Sequence, residues 1–188
     1  MVSYPGKRSE TVKIRSITLC ALFAAVLALC SWISLPVGQI AFTLQTFGVG
    51  LTLLVLGGKR GCAAIFVYLA LGALGLPVFS GFRGGPGMLL GATGGYLTGF
   101  LAFGLVYWLV CCLLGQKLLV RCLALSTGML ACYLFGSSWY ALGYAPDAAF
   151  SAILAQCVLP YLFFDICKLC LAVLMNRRLA CILEKLSA

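Results

Sequence analysis

The chain of 188 residues carries 13 Lys and Arg against 4 Asp and Glu and has no His, so a net charge of +9 coexists with a composition that is 63% hydrophobic. Soluble domains are about 45–50% apolar and about 25% charged, whereas this chain has 9% charged residues and a mean hydropathy of +1.12, which places it among membrane proteins. The missing His excludes a His-ligated metal site and Ser-His-Asp or Cys-His catalysis, and without a G-x-x-x-x-G-K-S/T motif ATP-driven work would need another polypeptide.

At ~20 residues per crossing the length accommodates roughly six helices, so the expectation is an all-α integral membrane protein with a basic tail at 1–15, a six-helix membrane domain at 16–176 and a C-terminal tail at 177–188. The first span reads from Ser16 to Leu35, ended by Pro36, which disfavours helix in the residue before it. A signal-peptide reading of this segment is disfavoured, because Leu29 is large where a cleavage site wants a small residue. The second span reads from Phe42 to Leu56, and the run Gly57-Gly58-Lys59-Arg60-Gly61 closes a tight hairpin to a third span from about Cys62 to Leu76. After Pro77, residues 78–87 are too rich in glycine for helix and too apolar for a solvated loop, which predicts a re-entrant loop buried in the protein. Spans four, five and six read as Gly95 to Leu114, Cys122 to Leu142 and Phe150 to Met175.

Six crossings put both termini on one side, and eleven of the thirteen cations then share that side, leaving Arg83 opposite and Lys168 within the last span. The positive-inside rule makes that shared side cytoplasmic, so the expected location is the cell (inner) membrane, multi-pass, in contact with lipid. Because the basic residues are spread over separate turns, no nucleic-acid partner is expected. The eleven cysteines fall mostly inside spans and read as small apolar packing residues, and Cys167-x-x-Cys170 lacks the companions of a metal site.

Asp165 and Lys168 stand in an otherwise apolar stretch of the last span, where an ion costs about 2.5–3.5 kcal/mol on insertion scales. Spaced by three, they share one helix face. Two readings remain open: a buried ion pair that pins the helix, or the polar end of a ligand pocket. For a pocket, Tyr96, Thr43, Gln45, Trp139 and the phenylalanines would add polar groups and apolar walls. Arg83 reads either as a surface loop residue or as a two-pronged partner for a ligand carboxylate. Ala21/Ala25 and Ala24/Ala28 form small-x-x-x-small stripes, suited equally to internal packing and to a partner helix. The glycine-rich segment from Gly91 to Gly99 lacks the lysine and preceding strand of a phosphate loop and reads as close helix packing or a flexible helix start.

Taken in order, Ala41-Phe42-Thr43-Leu44-Gln45-Thr46-Phe47-Gly48-Val49, Lys59-Arg60-Gly61, Gly72-Ala73-Leu74-Gly75-Leu76-Pro77-Val78-Phe79, Gly91-Ala92-Thr93-Gly94-Gly95-Tyr96 and Asp165-x-x-Lys168 resemble the BioY family, the biotin-binding S components of energy-coupling factor (ECF) transporters. The likeness runs from roughly Ala21 to Met175. It implies a membrane protein of six helices that binds biotin from outside and passes it inward, usually with a coupling protein and two ATPases, with no cofactor and no catalysis. It also implies that Asp165 and Lys168 contact the biotin head group, that the loop from Gly81 to Gly87, with Arg83 and Gly84, lines the site, and that Ala21 and Ala25 meet the coupling protein. Biotin's ureido N–H groups suit a carboxylate, its C=O an ammonium, and its sulfur ring and tail want apolar walls. The chain departs from the family pattern at Ala92, where Pro is frequent, at Phe163-Phe164, where Pro-Gly is frequent, and at Arg83, where a small polar residue or glycine is commoner. An S component for another vitamin, an intramembrane enzyme using Asp165 as base, and a channel or scaffold are the competing readings; the enzyme lacks a third catalytic group.

Overall fold

The computed structural model describes residues 5–35 and 42–187, with side chains described within 14–35 and 42–179. Eight helices and one small hairpin are found among these residues: α1 (Pro5–Trp32), β1 (Ser34–Leu35), β2 (Phe42–Thr43), α2 (Gln45–Leu56), α3 (Gly58–Ala73), α4 (Pro86–Leu90), α5 (Gly94–Leu114), α6 (Leu118–Tyr144), α7 (Phe150–Cys157) and α8 (Leu159–Ser187). Four of them are long and apolar enough to cross a membrane, over Ile14–Trp32, Gly94–Leu114, Leu118–Tyr144 and Leu159–Leu179. The protein is therefore a mostly helical, multi-pass membrane protein. Its outward face is apolar, with Leu22, Leu109, Leu130 and Phe163 all exposed, as expected where the solvent is hydrocarbon.

Several boundaries differ from the sequence reading, each for a local reason. Helix α1 begins at Pro5 rather than Ser16, because lysine and arginine oppose burial in lipid but are good helix formers, and Pro suits a first helical position. It stops at Trp32, and Ser34–Leu35 instead pairs antiparallel with Phe42–Thr43, Ser34 facing Thr43. Pro36 had marked this end of the helix, and Pro36 itself lies outside the described residues. The second predicted span starts three residues late, at Gln45, since Phe42 and Thr43 belong to the hairpin and the Leu44 amide donates to the Ile33 carbonyl at 3.2 Å. The last predicted span is broken: α7 ends at Cys157 and α8 starts at Leu159, with Pro160 in its first turn, where a missing N–H costs nothing. Helix α8 then runs past Met175 to Ser187 through Arg177 and Arg178.

Helix α2 is the hub. It has 12 residues, about 18 Å at 1.5 Å per residue and hence short of a ~30 Å hydrocarbon layer, yet it packs against α1, α3, α5 and α8, and nine of its residues are buried. Its last turn is fastened from α6: the Arg121 guanidinium donates to the Leu54 carbonyl, with Nε donating to the Tyr107 hydroxyl at 3.3 Å. Helices α5 and α6 lie against each other along their length. At Gly95 a Cβ would strike the Trp139 ring, and at Gly136 it would strike the Tyr96 ring. Those bare positions let the backbones approach and set Tyr96 between them.

Candidate functional site

The hairpin and the N-terminal ends of α2 and α5 converge with α6, α7 and α8 around one cavity. Asp165 and Lys168 of α8 line it. Both are buried, at 6% and 7% exposure, and Lys168 Nζ donates to Asp165 Oδ1 at 2.8 Å. The other carboxylate oxygen, Oδ2, accepts from the Tyr133 hydroxyl of α6 at 2.6 Å. The ammonium also sits 3.9 Å from the centroid of the Phe42 ring on β2, a cation–π contact, and Phe42 is held edge-on by Phe164 at 5.1 Å.

This arrangement leaves chemistry to spare. A carboxylate has about four lone-pair sites and an ammonium three donors. Two of the acceptor sites are used by Lys168 and Tyr133, and one donor by Asp165. Counting the described contacts alone, the pair can offer an acceptor beside a donor, while its own net charge is zero. Also in the lining, Thr43 Oγ1 donates to Gln45 Oε1 at 2.9 Å, and Gln45 Nε2 donates to the buried Tyr68 hydroxyl at 2.7 Å. Tyr96, also lining the cavity, shares a 3.0 Å hydrogen bond with the buried Ser137. Leu97, Phe100 and Met129 supply apolar wall.

The structure thus brings Asp165, Lys168, Tyr96, Thr43 and Gln45 together around one cavity. It does not bring Arg83, Gly84 or Trp139 into the lining. Arg83 is exposed, and its Nε lies back over Gly81, 3.8 Å from where a Cβ would stand. Its loop is folded as a turn in which the Phe79 amide donates to the Arg83 carbonyl at 2.9 Å, while the Phe79 ring is wholly buried edge-on to Tyr68. Gly84 is pressed against the backbone of Gly75 and Leu76, with no room for a side chain. Trp139 donates instead to the Gly91 carbonyl at 3.1 Å, bracing the start of α5. The loop's contribution to the lining is Ser80, and Thr93 follows from the turn before α5. Sequence reasoning missed Tyr133, whose signal was a hydroxyl in an apolar helix that must find a partner there.

The two alanine stripes separate. Ala24 and Ala28 are buried, whereas Ala21 and Ala25 are exposed. Ala21 borders a groove between α1 and α3, with Ile17, Cys20, Lys59 and Arg60.

Comparison with known proteins bears on the family and the fold. The BioY family profile matches residues 6–185. A biotin transporter BioY of Thermotoga maritima is 38% identical over 172 residues, covering 88% of this chain and 96% of the relative. A probable biotin transporter BioY of Pyrococcus horikoshii is 40% identical over 168 residues, covering 89% and 98%. Among solved structures, the S-component for biotin from an ECF-type ABC transporter superposes with a TM-score of 0.80 at 22% identity, covering 95% of each chain. The S component of a bacterial ECF transporter gives 0.63 at 12% identity, covering 92% of this chain and 99% of that one. With the profile spanning nearly the whole sequence and two relatives near 40% identity over nearly their full lengths, the chain belongs to the BioY family.

Proposed function

We propose that this protein is the membrane-embedded, biotin-binding S component of a vitamin uptake system, a transporter subunit and not an enzyme. The observation that carries the reading is the buried Asp165–Lys168 pair facing an apolar-walled cavity with one acceptor and one donor side by side. One edge of a cyclic urea presents the complement, an N–H next to a C=O, and the rest of biotin, a thioether ring and an alkyl tail, suits Leu97, Phe100 and Met129. Tyr133 keeps the carboxylate turned toward the ligand. Gln45 and Thr43 offer further hydrogen-bonding groups in the lining, and Tyr96 a rigid aromatic face.

In this reading α1, α2, α3, α5, α6 and the α7–α8 pair make six crossings, and the loop carrying Phe79 and Gly84 folds back toward the site. Both termini are cytoplasmic, on the side of Arg15, Lys59, Arg60, Lys117 and Arg177. The exposed Ala21–Ala25 face of α1 is where a coupling protein docks, itself joined to ATPase subunits, since this chain has no nucleotide cradle of its own.

Equilibrium binding of biotin to the purified, detergent-solubilised chain by calorimetry tests the proposal, with riboflavin and thiamine as controls. Saturable submicromolar binding of biotin alone is expected. Binding of riboflavin or thiamine in its place would reassign the ligand within the same fold, and binding of none by folded protein would return Asp165 and Lys168 to a structural ion pair.

A further inference from the structure

The cavity and the sequence around it hold few cations that could meet an acidic ligand tail. Among the described lining residues the sole cation is Lys168, and it is already committed to Asp165 at 2.8 Å. The sequence leaves little else to bring. Residues 36–41, between the strands, contain no Lys or Arg, and between Arg60 and Lys117 the one cation is Arg83. Arg83 is exposed and turned over Gly81, outside the lining. Arg121 is spent on the α2 terminus, at the opposite end of that helix from Gln45. What the loop and the start of α5 do place in the lining are the hydroxyl residues Ser80 and Thr93, both half-buried and both neutral.

A carboxylate taken from water needs a paired charge or a full set of hydrogen bonds, and an acidic group inside this cavity would also share it with Asp165. A neutral amide or ester asks for no counter-charge and is satisfied by hydroxyls. From this we infer that the site reads the ureido head and leaves the tail's charge unread, so that its substrate class includes biotins whose carboxyl group is tied up as an amide, lysine-linked forms among them, as well as the free acid. This inference rests on the biotin reading above and extends it from one vitamin to a class of its conjugates.

The test is competition calorimetry on the chain in detergent with biotin, biotin methyl ester, biotinamide and N-ε-biotinyl-lysine blocked as its N-α-acetyl amide so that its tail is uncharged, and desthiobiotin as a head-group control with the acid intact. The three neutral-tailed ligands are expected to bind within about fivefold of biotin, a spread of about 1 kcal/mol. A loss of a hundredfold or more for the ester and both amides, with biotin itself binding tightly, would overturn the inference; an equal loss for biotin in Arg83→Gln would then identify Arg83 as a cation that reaches the tail. If biotin fails to bind while the chain is folded, the underlying reading falls and this inference with it, an outcome distinct from tight biotin binding with amides rejected.

Discussion

The Asp165–Lys168 pair allows its structural and ligand-binding roles to be separated, because the two make opposite predictions for a double variant. Lys168→Met alone takes the ammonium from a buried carboxylate that keeps its bond from Tyr133, and Asp165→Asn alone strands a buried ammonium beside Phe42. Removing one partner of a buried pair costs roughly 3–5 kcal/mol, so each single variant should melt well below the wild type. Combining them removes both charges, and isosteric or apolar replacement of a whole pair is often neutral. The double variant should therefore regain most of the lost stability, a coupling of several kcal/mol between side chains 2.8 Å apart. Binding should not return. Each lost charge-assisted hydrogen bond to ligand is worth about 1.5–3 kcal/mol, or at least tenfold in affinity. Thermal melts read the first quantity and biotin calorimetry the second. A double variant that melts and binds like the wild type would refute the site assignment and make the pair a structural pin.

Tyr133→Phe keeps the ring that packs in the wall and deletes the 2.6 Å bond to Asp165; stability should fall by about 1.5–3 kcal/mol, the worth of a bond to a charged group, with a lower melting temperature, and biotin affinity should fall with it because the carboxylate is no longer held toward the ligand. Ala21→Trp and Ala25→Trp project outward and should leave biotin binding intact while lowering uptake in cells that supply a coupling protein, whereas Ala24→Trp, at a position 3% exposed, should prevent folding to wild-type yield. Gly95→Val would drive a branched side chain into the Trp139 ring and separate α5 from α6, costing at least about 1–3 kcal/mol and weakening binding through displacement of Tyr96. Fluorescence-detected gel filtration together with calorimetry checks these last variants.

What could be read from the sequence was whatever depends on one element at a time. The long apolar runs, the Gly57 hairpin, and Asp165 and Lys168 on one face of one helix are of this kind. The break before α8 escaped the reading of an unbroken last span although Pro160 lies within it and a proline interrupts a helix near the residue preceding it, because hydropathy stays high across the break. What escaped depends on partners far apart in the chain. Tyr133 owes its role to a carboxylate 32 residues away. Arg83 drew notice as a lone charge, yet where it points is decided by its turn, and that turn is fixed from α1. Phe82, in left-handed backbone at φ 57°, stacks on Trp32 at 4.8 Å, and Trp32 Nε1 donates to the Pro77 carbonyl at 2.8 Å. A non-glycine residue pays strain for that conformation and keeps it when its surroundings hold it. No local pattern announces those contacts.

The same pairing explains why a charged recognition site is tolerable inside a bilayer. A lone carboxylate buried among Tyr133, Phe42 and Met129 would face desolvation without compensation. Lys168 one turn on supplies the countercharge at contact distance, and Phe42 adds the negative face of its ring to the ammonium. Net charge at the site is then zero before a ligand arrives. It is still zero after a neutral cyclic urea has bound, because the ligand displaces neither partner but takes up the lone pair and the N–H that each has left over. A ligand that carried charge into the same place would have to break the pair or add an uncompensated ion, and either costs several kcal/mol. On the proposed reading, then, the geometry of Asp165, Lys168 and Tyr133 favours a neutral head group with adjacent donor and acceptor on electrostatic grounds, before any apolar wall contributes to affinity.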